Sequence, residues 1–238
     1  MSSVARALRV LALVLDRPEI RVDALAADIG LPVSTVYRYL RELREAGFVS
    51  DFDGAYRPGP RFDGGESAAV QRARLRGLAR PQLERLAGGS GETALLTVRT
   101  HTYALCLDQV ESHHPMRMAF RVGQTLPLYA GASTRVLLAY APDEIVQAVL
   151  DDLGPVTPAT PSAEDLPRRL RAIRAGGVAT SRSEFVDGAI AIAVPVLSRG
   201  ECVCALALAA PEQRASAGWQ RHAKQLLTEA RHGLETLL

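Results

Sequence analysis

Lysine is almost absent from this chain. Lys224 is the only one in 238 residues, so cationic contacts fall to arginine, whose planar guanidinium grips bidentate partners that a lysine ammonium does not match. Net charge is equally slight, at 28 basic against 26 acidic residues and a formal +2. A chain so close to neutral does not coat nucleic acid non-specifically, and any DNA affinity must come from a local patch. No apolar run is long enough to span a bilayer, and the opening MSSVARALRV lacks the charged, then apolar, then cleavable order of a signal peptide. No membrane partner and a cytoplasmic location are therefore expected.

Cysteine is scarce as well. Cys106, Cys202 and Cys204 cannot build a metal cage alone, and His101, His113 and His114 stand at no metal-ligand spacing from them. Cys202 and Cys204, two apart in an expected strand, share one face and are expected to be a reduced pair in the core. The signatures GxSxG, HExxH, the P-loop and a GxGxxG after a strand are all missing. No cofactor and no metal are expected. Gly88-Gly89-Ser90-Gly91 reads as a flexible corner between a helix and a strand rather than a phosphate cradle, and His113-His114-Pro115 as a turn.

What is present centres on VDALAADIGLPVSTVYRYLRELREAG, Val22 to Gly47. Leu25 and Ile29 share one face of a short helix beside small Ala26 and Ala27. Gly30 then stops the helix, and Leu31-Pro32 re-aims the chain. In the next helix Val36, Leu40 and Leu43 recur as a buried stripe, leaving Ser34, Thr35, Tyr37, Arg38 and Arg41 elsewhere on the wheel. These types contact phosphates and base edges: arginine takes guanine bidentately, hydroxyls reach phosphate or base, and tyrosine adds a phosphate contact. Phe48 to Gly59, two short runs around Asp53-Gly54, predicts a hairpin. A hairpin directly after such a helix pair is a wing, on which Arg57 is placed to reach DNA. Val4 to Leu15, with Ala7, Leu8, Leu11 and Leu15 on one face, supplies the third helix of this small core.

Arg61 to Ala87 follows as a linker helix or pair of helices, with Ala68, Ala69, Ala73, Leu75, Leu78, Leu83 and Leu86 at helical spacing. Pro81 either starts a second helix or kinks a continuous one. The apolar stripe either pairs with its copy in a second subunit or packs on its own C-terminal domain. Strands are expected at Thr93 to Arg99, Tyr103 to Val110 and Met116 to Arg121, then helices near Ser133 to Tyr140, Asp143 to Leu150 and Asp165 to Ala175. Strands Ala189 to Val196 and Cys202 to Ala209 precede a last helix, Trp219 to Leu237. This order describes an α+β domain with an antiparallel sheet. In the two late strands Ala189, Ala191 and Ala193, and then Ala205, Ala207 and Ala209, alternate with bulky residues, giving each strand a face of methyls. Such a face either admits a helix very closely or leaves a cavity for a ligand.

Taken in order, VARALRVL, GLPVSTVYRYLRELREAGFV, YRPGPR, LARPQLERLAGGSGET, RVGQTLPLYAGAS and GAIAIAVPV resemble the IclR family of bacterial transcriptional regulators over nearly the whole chain. The resemblance implies a winged helix-turn-helix at residues 1–60, a dimerising linker helix at 61–77 and a GAF-like effector-binding domain at 78–238. It implies double-stranded operator DNA and a small effector as partners, and a homodimer or tetramer as the assembly. Carried over by position, the effector pocket would comprise Met118, Leu126, Ala132, Ser133, Ser181, Ala189, Ala191, Ala207 and Ala209. Better-known members carry an acid near Ser181, a cysteine at Ala191 and polar groups at Ala207 and Ala209, so this pocket is less polar. A ligand with an apolar or aromatic body fits that lining, and backbone N–H groups at Ala132, Ser133 and Thr134 offer a place for a carboxylate. The expected function is a regulator, a repressor, whose operator affinity such an effector controls. The alternatives are an effector-blind dimeric scaffold, or an enzyme with an appended DNA-binding domain using Glu184, Asp187, Ser181 or Ser183.

Overall fold

The computed structural model describes residues 3–17, 19–52, 54–59 and 68–238. The chain divides into two compact units, Met1–Ala73 and Arg74–Leu238. The first comprises α1 (Ser3–Leu15), β1 (Ile20–Arg21), α2 (Val22–Ile29), α3 (Val33–Glu45), β2 (Val49–Phe52) and β3 (Ala55–Pro58). Helix α2 stops because Gly30 adopts φ 70° and ψ 37°, with its N–H bonded back to the Ala26 carbonyl at 2.9 Å, a left-handed cap. Val10, Val14, Leu25, Val36 and Leu40 form the core under this turn.

The face expected for α1 is rotated. Leu8 is 59% exposed and Leu15 41%, while Val10 and Val14 are fully buried. Arg6 and Arg9 set the polar side of this helix opposite Leu8, Leu11 and Leu15, so the pattern does select a face, but the groove left by the other two helices takes Val10 and Val14 instead. The strands form an antiparallel sheet in the order β1-β3-β2, and Asp51 Oδ1 accepts the Gly54 N–H to close the hairpin. Asp53 at its tip lies outside the described residues.

Helix α4 (Ala68–Ser90) begins in the first unit and continues into the second, which then holds β4 (Thr93–Thr100), β5 (Tyr103–Val110), β6 (Thr125–Pro127), α5 (Ala132–Ala139), α6 (Asp143–Asp151), α7 (Leu166–Gly176), β7 (Ala179–Arg182), β8 (Ala189–Ser198), β9 (Glu201–Pro211), a 3-10 turn at Glu212–Arg214 and α8 (Ala217–Glu235). The linker residues 61–67 lie outside the described residues, and of Ala68 and Ala69 only the helical backbone is described. Pro81 sits inside one continuous α4. From Leu75 onward the linker stripe, including Leu83 and Leu86, packs on the chain's own sheet.

That sheet is antiparallel, in the order β6-β5-β4-β9-β8-β7. Its bulky face, with Leu96, Ile192, Val194, Leu206 and Leu208, packs against α4 and against Ala223, Leu227 and Leu234 of α8. The methyl face, with Ala193, Ala205, Ala207 and Ala209, packs against α5 and the Leu166, Leu170 and Ile173 side of α7. All eight residues of α5 are buried. The alternation in β8 and β9 thus serves both purposes left open by the sequence: it admits α5 closely and leaves a cavity beside that helix's start.

Three expectations are corrected. Residues 116–121 form no strand, because side chains take the bonds that a ladder would use: Thr93 Oγ1 donates to the Met118 carbonyl, and Gln109 bonds both the N–H and the carbonyl of Phe120. The sheet reaches six strands instead through β6 on β5 and β7 on β8 at its two edges. Gly88 and Gly89 are no corner; α4 runs through them to Ser90, and Gly89 lies so close to the Leu226 side chain that an added Cβ would sit 3.2 Å from it. Finally, a bulge pairs Leu197 with Cys202 but Val196 with Cys204, so Val203 is an extra residue and the alternation slips. Cys202 therefore packs toward the α5 side and Cys204 toward the α8 side.

Candidate functional site

On α3 the residues Ser34, Tyr37, Arg38 and Arg41 are exposed and Thr35 is half-buried. Ser34, Tyr37, Arg38, Arg41 and Arg44 line one groove together with Asp51 and Tyr56 of the wing sheet. Tyr39, which the apolar stripe did not include, is buried. The Arg38 guanidinium lies 5.4 Å from the centre of its ring, a cation–π contact that orients the side chain from a fixed base. Arg44 pairs with Asp51 at 3.6 Å. Arg57 is on β3 as expected, but its guanidinium is paired with Glu19 at 2.6 Å. That pair is exposed on both sides and so is worth well under about 1 kcal/mol, which a phosphate oxygen can replace.

The second constellation forms around the start of α5. Gly131 caps it at φ 105° and ψ 163°, a conformation closed to residues with a Cβ. Its N–H donates to Glu184 Oε2 at 3.2 Å. Arg135, one turn into the helix, donates to both Glu184 oxygens at 2.9 Å and to the Thr180 carbonyl at 2.7 Å, and Arg169 of α7 donates to Oε1 at 3.2 Å. Glu184 and Arg135 are 4% and 3% exposed. Burial pulls the Arg135 pKa below its ordinary value, and the Glu184 carboxylate pushes it back up. Two guanidiniums on one carboxylate leave this network one positive charge in excess, directly beneath the free N–H groups of the first helical turn.

Above it opens a cavity of about 570 Å³, counting its mouth. Met118, Leu126, Ala132, Ser133, Ser181, Ala189, Ala191, Ala207 and Ala209 all line it, so the structure brings every one of the nine candidate pocket residues to one place. Further lining comes from Thr97, Cys106, Phe120 and Phe185, which sequence reasoning missed. Phe120 and Phe185 stack with ring centres 6.4 Å apart. Arg135 was missed too, although a lone arginine inside the apolar run ASTRVLLA was a readable sign of a buried partner.

The acid–base candidates do not assemble into a catalytic group. Glu184 is consumed by its two arginines, the hydroxyl of Ser183 and the carboxylate of Asp187 both accept the Gly188 N–H, and no histidine lines the cavity. Burial pushes the Cys106 thiol up to about 11 and Cys202 up to about 12, and raises Cys204 as well. All three are neutral thiols at neutral pH. Among the described residues no group of three or more His, Cys, Asp or Glu side chains is placed to hold a metal ion, and no helix is long and apolar enough to cross a membrane.

Comparison with known proteins gives two family matches: residues 3–51 match the IclR helix-turn-helix domain, and residues 67–232 the C-terminal region of the bacterial transcriptional regulator IclR. The HTH-type transcriptional regulator TtgV of Pseudomonas putida is 31% identical over 217 residues, 90% of this chain and 83% of that protein. The HTH-type transcriptional regulator KipR of Bacillus subtilis is 28% identical over 85% of this chain and 83% of that protein. Among solved structures, an IclR homologue from Microbacterium hydrocarbonoxydans in complex with 4-hydroxybenzoate is 31% identical, with a TM-score of 0.66 over 99% of this chain and 98% of that one.

Proposed function

The chain belongs to the IclR family and is a DNA-binding transcriptional regulator rather than an enzyme; from that premise we propose that it is a repressor released from its operator by a small aromatic acid. The observation that carries the ligand class is the cavity itself. Its walls are methyls, Met118, Leu126 and two stacked phenylalanines, which suit a flat apolar body. The one charged residue of its lining is Glu184, whose carboxylate Arg135 and Arg169 neutralise from outside the lining, and the free backbone N–H groups at the start of α5 beside it suit one carboxylate. The homologue holding 4-hydroxybenzoate supports the same class.

In this reading Ser34, Thr35, Tyr37, Arg38, Arg41 and Arg57 meet operator DNA, and the nine residues from Met118 to Ala209 named above meet the effector. The boundaries are 1–60 for DNA binding, 61–77 for the linker and 78–238 for the sensor. A homodimer, or a tetramer of two dimers, presents two recognition helices to two half-sites, and the effector changes their separation through the linker. Calorimetric titration of the full chain with benzoate, 4-hydroxybenzoate and glyoxylate tests the ligand class. Binding of the aromatic acids is expected; tight binding of glyoxylate without them would overturn it.

A further inference from the structure

Thr97 lies at the floor of the cavity, fully buried, and its Oγ1 has no hydrogen-bond partner among the described residues. Its neighbours in the sheet explain why. On β9 it faces Ala205, which offers only a methyl; on β5 it faces Cys106, whose thiol is turned to the Asp108 carbonyl at 3.8 Å. A buried hydroxyl left unpaired is unfavourable, and a valine of the same shape would remove the cost. A polar atom kept here and aimed into a cavity finds its partner in what the cavity binds.

The floor and the mouth differ in polarity. Around Thr97 the lining is Leu95, Cys106, Leu126 and alanine methyls, with no cation among them, so a carboxylate buried there would lack compensation. The carboxylate belongs at the start of α5, and the floor takes a neutral donor or acceptor. Their separation follows from the sheet register. Ser181, three residues before Glu184, aligns with Ala191 and Ala209, whereas Thr97 aligns with Ala205. Those rows lie four residues apart along β9, and β4 and β7 lie on opposite sides of the β9-β8 pair, so the ring position that reaches Thr97 is the one remote from the carboxylate.

We infer that Thr97 is a specificity-determining residue that hydrogen-bonds a neutral hydroxyl or amino group on the ring carbon opposite the carboxylate, selecting para-substituted aromatic acids over unsubstituted ones. This rests on the aromatic-acid reading above and adds its second polar contact.

Calorimetry of the full chain with 4-hydroxybenzoate and benzoate, on wild type, Thr97→Val and Thr97→Ser, tests it. Wild type is expected to prefer 4-hydroxybenzoate tenfold or more. Thr97→Val is expected to bring the ratio near one by weakening 4-hydroxybenzoate alone, with an unliganded melting temperature equal to or above that of wild type, and Thr97→Ser is expected to keep the preference. A wild type that binds both acids equally, or a Thr97→Val variant that keeps the preference or weakens both acids alike, overturns the assignment and leaves the aromatic-acid reading standing. Binding of neither acid by wild type overturns that reading, and the Thr97 assignment with it.

Discussion

Glu184 shows how a single buried side chain sets the geometry of the cavity mouth. Its carboxylate ties the Gly131 cap, Arg135 of α5 and Arg169 of α7 into one buried knot, and removing one member of such a knot strands the others. Glu184→Ala is therefore expected to cost about 3–5 kcal/mol of folding stability in urea denaturation. The thiols give a prediction in pH. Folded Cys106 keeps its proton to about 11, whereas an exposed thiol loses it near 9.0. Between those values the folded chain binds more protons than the unfolded one, so stability falls as pH rises. Urea denaturation across that range will register the fall, and Cys106→Ala will reduce it. The alanines of the cavity were legible in sequence because their alternation with bulky residues is itself the signal. Thr97 was not, and Arg135 signalled a buried partner without naming it, since the partner a polar side chain has or lacks is decided by segments far away in sequence.

At the scale of elements, what was legible is where pattern and packing demand agree. Helix α3 declares its buried stripe because its outer face is polar, and Gly30 declares the turn before it. Helix α1 declares its existence but not its orientation, because the face that Arg6 and Arg9 leave apolar is not the one the other helices bury. Residues 116–121 carry strand-like composition, yet Thr93 and Gln109 satisfy their backbone and no ladder forms. The short edge strands β6 and β7, of three and four residues, carry too little pattern to be read alone. The recognition face of α3 is tested by Arg38→Ala, which is expected to lower operator affinity by about 1–3 kcal/mol and to relax the preference at one base pair. Mobility shifts on the operator and on singly substituted sites read both; an equal loss on every sequence would instead make Arg38 a phosphate contact.

At the scale of the whole molecule, one link joins the cavity to α4. Cys106 lines the cavity, and two residues on, the buried Asp108 pairs with Arg76 at 3.3 Å and Arg80 at 3.4 Å, both on α4. Under the proposed effector control, a ligand that moves β5 acts on the ion pairs that hold α4. Composition had already limited the assembly to local recognition, because a nearly neutral chain with a single lysine reads DNA through a few arginines or not at all. The most direct test is footprinting of the region upstream of this protein's own gene, with and without 4-hydroxybenzoate and related aromatic acids. A protected pseudo-palindrome that disappears on adding such an acid is the predicted result, and protection that no acid alters, or that such an acid strengthens, would contradict release by the effector.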